Sequence, residues 1–249
     1  MTTEAWITPD WPAPTKVRAF STTRLGGQSQ PPYDSFNLAQ HVGDKPDVVA
    51  ANRADLKKLA GYSDEPAWLE QVHGKIVIDA VHVDKPVKAD ASFTTATNTT
   101  CVVMTADCLP VLFCDKQGKG VAAAHAGWRG LAAGVLEATL ERLCAELACP
   151  ASHILAWMGP AIGPATFEVG KEVRDTFIAQ HDVASAFIET DSQHWLMDIY
   201  AVARHRLGCA GVEDISGGQY CTFTDKEQFF SYRRENQCGR MASLIWLED

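Results

Sequence analysis

No stretch of this chain approaches the roughly 18 apolar residues of a membrane-spanning helix, so a membrane protein is not expected. The opening segment, MTTEAWITPDWPAP, has neither the basic start nor the apolar core of a secretory signal. No CxxC pair occurs, which argues against a structural four-cysteine zinc knot. There is no HxH pair among the 8 histidines, no P-loop and no GxGxxG fingerprint, and no fixed-period repeat or low-complexity tract. Basic residues are scarce: 22 Lys and Arg stand against 31 Asp and Glu, a net charge of -9. A protein whose main task is gripping nucleic acid is therefore not expected, although a local basic pocket is compatible with that balance.

What is present is ordinary globular material. Hydrophobic residues make up 46% of 249 residues, enough for a substantial core in one large domain or two small ones. The 8 cysteines could form a disulfide framework in a short exported chain. Here Cys101, Cys114, Cys144 and Cys209 lie in apolar segments of a long chain without an export signal. Buried free thiols in a reducing cytoplasm are the expectation.

The unusual chemistry is concentrated between Cys101 and Leu131. Three strand-like runs, 101–104, 111–114 and 121–124, are interrupted by Thr105-Ala106-Asp107-Cys108 and by a glycine turn at 116–120. The third run ends at His125-Ala126-Gly127-Trp128-Arg129-Gly130, and Leu131, Val135, Leu136, Leu140, Leu143 and Leu147 then predict one long helix from Trp128 to Ala148. Cys108 and His125 both fall at strand ends, where turns expose side chains. Elsewhere, Val17 to Thr23 reads as a strand running into Arg24-Leu25-Gly26-Gly27. Pro46 opens a helix to about Ala60, closed by Gly61. Residues 67 to 81 read as a hairpin with His73 at its glycine turn. Ile154 to Met158 is a further strand, 159–164 an irregular loop, 172–180 and 197–207 helices, and Arg240 to Leu247 a last strand. Strands and helices mix without a regular βαβ alternation, so the fold class is α+β.

Two histidines and a cysteine, His73, Cys108 and His125, would suit Zn²⁺ and leave its fourth tetrahedral position open, as a catalytic metal requires. No local motif joins them, and a lone histidine such as His73 reads first as structural. Asp107 either caps a turn or orients a proton or substrate beside Cys108. Arg24 and Arg129 each read as a solvated or salt-bridged side chain or as an anion holder, Arg24 with the backbone N–H groups of its glycine turn.

The set QVHG at 71–74, TADCLPV at 105–111, HAGWRG at 125–130 and GPAIGP at 159–164 resembles the YfiH-type family. That family is also labelled polyphenol oxidase or laccase-domain proteins, and its members are described as purine nucleoside phosphorylases. STTRLGG at 21–27, SFNL at 35–38 and FFSYRRE at 229–235 fit it too, so the resemblance spans nearly the whole chain. It implies a single domain over residues 1–249, a four-layer α/β/β/α sandwich, and a zinc site from His73, Cys108 and His125. It also implies phosphorolysis of adenosine, inosine, guanosine or methylthioadenosine, with adenosine deamination as a side activity. The site residues carried with it are His73, Cys108, His125 and Asp107 for catalysis, and Arg24, Asn37 and Arg129 for substrate.

Other readings stay open beside it. His and Cys ligands also suit copper, but a laccase mechanism needs several copper ions and many gathered histidines. Cys108 and His125 could act without metal as the nucleophile and base of a hydrolase. A cell-wall precursor as substrate, linked to peptidoglycan editing, is a fourth reading. The same pocket serving as a non-catalytic nucleotide-binding module is a fifth.

Overall fold

The computed structural model describes residues 6–83 and 85–249. The first five residues of the segment read above as lacking a signal lie outside them. Two sheets form the centre. One has four strands, in the order Trp6–Ile7, Val17–Thr22, Met241–Leu247, Cys101–Thr105. The other has six, in the order Asp214–Gly217, Ile154–Met158, Leu109–Asp115, Val121–Ala126, Ala91–Thr94, Val77–Asp79.

The layering follows from side chains alternating across each strand. In Cys101–Thr105, Cys101 and Val103 enter the core between the sheets, where they join Leu112, Cys114, Val121 and Ala123. Val102 and Met104 point the opposite way, toward Leu56 of the helix Pro46–Ala60. In the six-stranded sheet, Val111, Phe113, Ala122 and Ala124 face outward, into a core with the helices Val135–Leu147 and Ile199–Cys209. Helix, sheet, sheet and helix thus stack as four layers, the α/β/β/α arrangement expected. The central strands are buried on both faces, which is why they read as near-continuous apolar runs rather than clean alternation.

The helix Pro46–Ala60 has its proline in the first turn, and Gly61 at φ 76° donates its N–H to Lys57 O, as the sequence signals require. Among the described residues no helix is long and apolar enough to cross a membrane.

Three expectations need correction. The hairpin over 67–81 does not form. Leu69–Glu70 pairs parallel with Val87–Lys88, and Val77–Asp79 pairs parallel with Ala91–Thr94, so the turn at His73 joins strands of different sheets. The single helix from Trp128 to Ala148 is two helices, Trp128–Ala133 and Val135–Leu147, divided at Gly134 with φ 94°. The buried Arg206 fills the break: its guanidinium donates to Leu131 O and Ala132 O and pairs with Glu137. All 8 cysteines are free, but Cys209 is exposed and Cys144 only half-buried, because both border an open cavity between the helices Val135–Leu147 and Ile199–Cys209.

The break gives a direct test. Ala for Gly in a continuous helix gains about 0.5–1 kcal/mol, whereas Ala held in the left-handed region costs roughly 1–2 kcal/mol. Gly134→Ala is expected to destabilise the protein by about that amount in urea unfolding. A stabilised variant would mean that the helix can run straight through.

Candidate functional site

His73, Cys108 and His125 come together although their segments are far apart in sequence. Cys108 lies on the link between Cys101–Thr105 of one sheet and Leu109–Asp115 of the other, so the crossing point between sheets carries it. The link turns at Asp107, whose φ of 87° is unusual for a residue with a side chain. His125 is near the end of Val121–Ala126 and is the cross-strand partner of Pro110, which brings it beside Cys108. His73 sits in its turn at φ 60°.

Their candidate ligand atoms all lie within 4.8 Å of one another. Cys108 Sγ is 3.8 Å from His73 Nε2, and the two imidazole rings stand at 75° with centroids 4.8 Å apart. Ligands of a tetrahedral zinc, at about 2.0–2.3 Å from the ion, would fall at similar mutual distances. Among the described residues this is the one group of three or more such side chains that could hold a metal ion. Gly127 is part of the fit: a Cβ there would come within 2.7 Å of His73 Cδ2 and 2.9 Å of Cys108 Sγ.

Asp90, which the sequence reading passed over, organises the cluster. Its carboxylate accepts the backbone N–H groups of Val72 (3.3 Å), His73 (2.9 Å) and Gly74 (2.6 Å) and the ring Nδ1–H of His125 (2.8 Å). Its carbonyl accepts the backbone N–H of His125 at 2.7 Å. A carboxylate is an acceptor, so His125 Nδ1 donates and Nε2 is the ring nitrogen left to face the cluster. Nothing in the local sequence around Asp90 marks it, since its partners come from a distant turn at His73 and from the distant strand Val121–Ala126.

The electrostatics are tightly coupled. Burial raises Asp90, but the His125 ring and the N–H groups of Gly74 and His73 outweigh it and hold the carboxyl below its usual range. Burial also raises Cys108, and His125 and His73 reverse this, bringing the thiol down to about 6. His125, lowered by burial, is pushed up to about 9 by Cys108 and Asp90. Without a cation between them, the two form a thiolate–imidazolium pair.

The cluster opens into a cleft of about 560 Å³. Ile162, Phe167, Ile199 and Trp128 give it apolar walls, and Arg129, Arg233 and Arg240 line it as well. Each arginine lies over an aromatic ring, Trp128, Phe167 and Tyr232 respectively. Among the described residues none of the three is within ion-pair distance of a carboxylate.

Asp107 also lines the cleft, but both of its oxygens are engaged, by the Thr222 hydroxyl at 2.7 Å and the Arg233 N–H at 2.6 Å. The structure separates Arg24 and Asn37 from the cleft. Arg24 pairs with Asp34 and Glu235 and lies over Phe230, so it anchors the short helix Tyr232–Glu235 that carries Arg233. Asn37 is fully buried, and its Oδ1 accepts the N–H groups of Ala39 and Arg240. Arg233 and Arg240 were not singled out as substrate ligands by sequence reasoning. The aromatic-cation cluster 229–234 was the signal for Arg233; Arg240 lies outside it.

Residues 18–248 match the family model described as multi-copper polyphenol oxidoreductase laccase. The purine nucleoside phosphorylase YfiH of Escherichia coli is 54% identical over 242 residues, covering 97% of this chain and 98% of that protein. The chain belongs to the YfiH family. A purine nucleoside phosphorylase of Pseudomonas aeruginosa is 53% identical over 247 residues, covering 98% of this chain and 99% of its own length. Among solved structures, a Neisseria meningitidis protein superposes with a TM-score of 0.93 at 46% identity, over 99% of this chain and 100% of that one. The YfiH-family fold also extends to YlmD of Geobacillus stearothermophilus, with a TM-score of 0.93 at 28% identity, covering 100% of this chain and 98% of that one.

Removing the carboxylate tests its role. Asp90→Asn replaces one acceptor oxygen by an NH₂ that faces N–H donors, so the His73 turn and the His125 ring lose their common anchor. Metal affinity is expected to fall about 10–100-fold, read by competition with a chelator, with the far-ultraviolet circular dichroism unchanged. Undiminished affinity in a folded variant would show that the cluster does not depend on Asp90.

Proposed function

We propose that this protein is a zinc-dependent purine nucleoside phosphorylase acting on adenosine, inosine, guanosine or methylthioadenosine. The observation that carries the reading is the cleft: apolar and aromatic walls, three arginines without carboxylate partners among the described residues, and the His73–Cys108–His125 cluster open into one cavity. A purine is flat and apolar on its faces, and inorganic phosphate is an anion, so the two halves of the cleft match the two reactants. The names of the relatives point the same way. We also propose that residues 1–249 act as one catalytic domain, because the site draws on both sheets and on the helix at the C-terminal side.

In this reading the arginines hold phosphate for attack on the sugar C1′. The bond from C1′ to the purine nitrogen breaks as the new C–O bond forms. Its electron pair leaves with the base, which takes up a proton, and the products are free base and ribose 1-phosphate, or 5-methylthioribose 1-phosphate from methylthioadenosine. Trp128 and Phe167 orient the base by stacking, and Asp107 positions Arg233 by holding its backbone N–H. Arg24 and Asn37 act one step removed, through the Tyr232–Glu235 helix and the Arg240 backbone. Zinc held by His73, Cys108 and His125 would supply a Lewis-acidic open position at the cleft floor, and the same donors would accept copper. Adenosine deamination is proposed as a second activity of this cleft. The laccase reading is disfavoured because one three-residue cluster cannot gather several copper ions.

The expected result is conversion of inosine to hypoxanthine only when phosphate is supplied, with the sugar product phosphorylated. His125→Ala is expected to abolish turnover, and Arg129→Ala to weaken the response to phosphate. Loss of one charge-assisted hydrogen bond is worth about 1.5–3 kcal/mol, roughly a ten- to hundredfold effect. Release of ammonia from adenosine reports the second activity. Nucleoside cleavage at equal rates in His125→Ala and wild type would overturn the assignment.

The coupled thiolate gives the metal-free hydrolase reading its own test. In metal-free protein the Cys108 anion should persist above pH about 6 and be lost by protonation below it. Alkylation by iodoacetamide should therefore show its midpoint near that pH, with zinc blocking the reaction. If zinc fails to protect Cys108 while acyl substrates are turned over, the Cys–His hydrolase reading replaces the metal site.

A further inference from the structure

The helix Val135–Leu147 ends in a backbone arrangement that brings two thiols together. Ala148 adopts the left-handed conformation at φ 50°. Its N–H donates to Ala145 O at 3.4 Å, and the Cys149 N–H donates to Cys144 O at 3.1 Å. These two bonds are those of a Schellman cap, in which the side chains of the first and sixth residues commonly touch. Apolar residues usually fill both places. Here they are Cys144 and Cys149, both half-buried and both free.

We propose that Cys144 and Cys149 form a reversible dithiol site that exchanges with low-molecular-weight disulfides. The six-to-one hydrogen bond folds the chain back over the span a disulfide needs, about 4.4–6.8 Å between Cα atoms. Cys144 also borders a cavity of about 410 Å³ between the helices Val135–Leu147 and Ile199–Cys209, a route of approach for a small reagent. Burial, and then the neighbouring Cys149, push the Cys144 thiol up to about 11, so that side chain rests as the neutral thiol. The other cysteines have different settings. Cys101, Cys114 and Cys238 are buried, Cys108 is in the cluster, Cys209 borders the same cavity but lies 3.4 Å from His205, and Cys221 accepts the Gly163 N–H at 3.2 Å.

The exchange balances as follows. One thiol loses its proton to solvent and attacks a sulfur of the small disulfide, forming a mixed disulfide and expelling one thiolate. The second thiol, deprotonated in turn, attacks the protein-bound sulfur, closes the Cys144–Cys149 bond and expels the other thiolate. The protein dithiol is oxidised by two electrons, and the small disulfide is reduced to two thiols.

The test is to incubate the full, reduced chain with oxidised glutathione and map its peptides by mass spectrometry. The expected product is a Cys144–Cys149 peptide short of two hydrogens, restored by dithiothreitol. Cys144→Ser and Cys149→Ser should each retain glutathione on the remaining cysteine, because nothing is left to displace it. Cys209→Ser should behave as wild type. Stable glutathione adducts on both residues of the wild-type chain, pairing of either with a third cysteine, or thiols that stay reduced throughout would each overturn the proposal.

Discussion

One buried carboxylate holds the candidate site together. Asp90 is fully shielded from water, and an unpaired charge in that position would be strongly destabilising. It is tolerated because donors surround it: three consecutive N–H groups of the His73 turn and the ring of His125. The same bonds that satisfy the charge fix a histidine in the left-handed conformation and select the tautomer of another. Charge satisfaction and ligand placement are thus a single interaction. Gly127 completes it by leaving room, since any side chain there would collide with both His73 and Cys108.

The second constraint is electrostatic. A chain with net charge -9 concentrates around one cleft three arginines that have no carboxylate partner among the described residues. Their aromatic partners keep the guanidinium planes in place without neutralising them. A positive cleft in an acidic surface draws anions to one place and leaves the remainder unattractive to polyanions. Arg24 shows the opposite case. It sits in an arginine–glycine turn that invites an anion, yet Asp34 and Glu235 already occupy its guanidinium. Its contribution to the cleft passes through the short helix it anchors.

Much of the architecture was legible along the chain. The apolar runs at 101–105, 109–115, 121–126, 154–158 and 241–247 are strands because continuous apolar segments of that length suit a sheet covered on both faces. Pro46 and Gly61 bracket a helix because each supplies the backbone geometry its end requires. The errors have one source. The hairpin at 67–81 and the unbroken helix after Trp128 were inferred from local pattern, and both were decided by distant partners. Val87–Lys88 and Ala91–Thr94 claim the two strands, and Arg206 satisfies the carbonyls that a break at Gly134 exposes.

The sequence by itself determined the family, because QVHG, TADC and HAGWRG occur together as a set, and through it the candidate donors His73, Cys108 and His125. It also determined the excess of acid and the lack of any long apolar run, which are properties of composition and of contiguous residues. Only the tertiary structure decided that Asp90 unites the two histidines, that Arg233 and Arg240 join Arg129 at the cleft, and that Asn37 and Arg24 stand behind it. Those assignments depend on hydrogen bonds between residues far apart in the chain, such as the Arg240 N–H to Asn37 Oδ1. An aspartate or arginine looks the same in sequence whether it is solvated, paired or aimed into a cavity. Its partners, which set its charge and direction, are supplied by the packing of the two sheets.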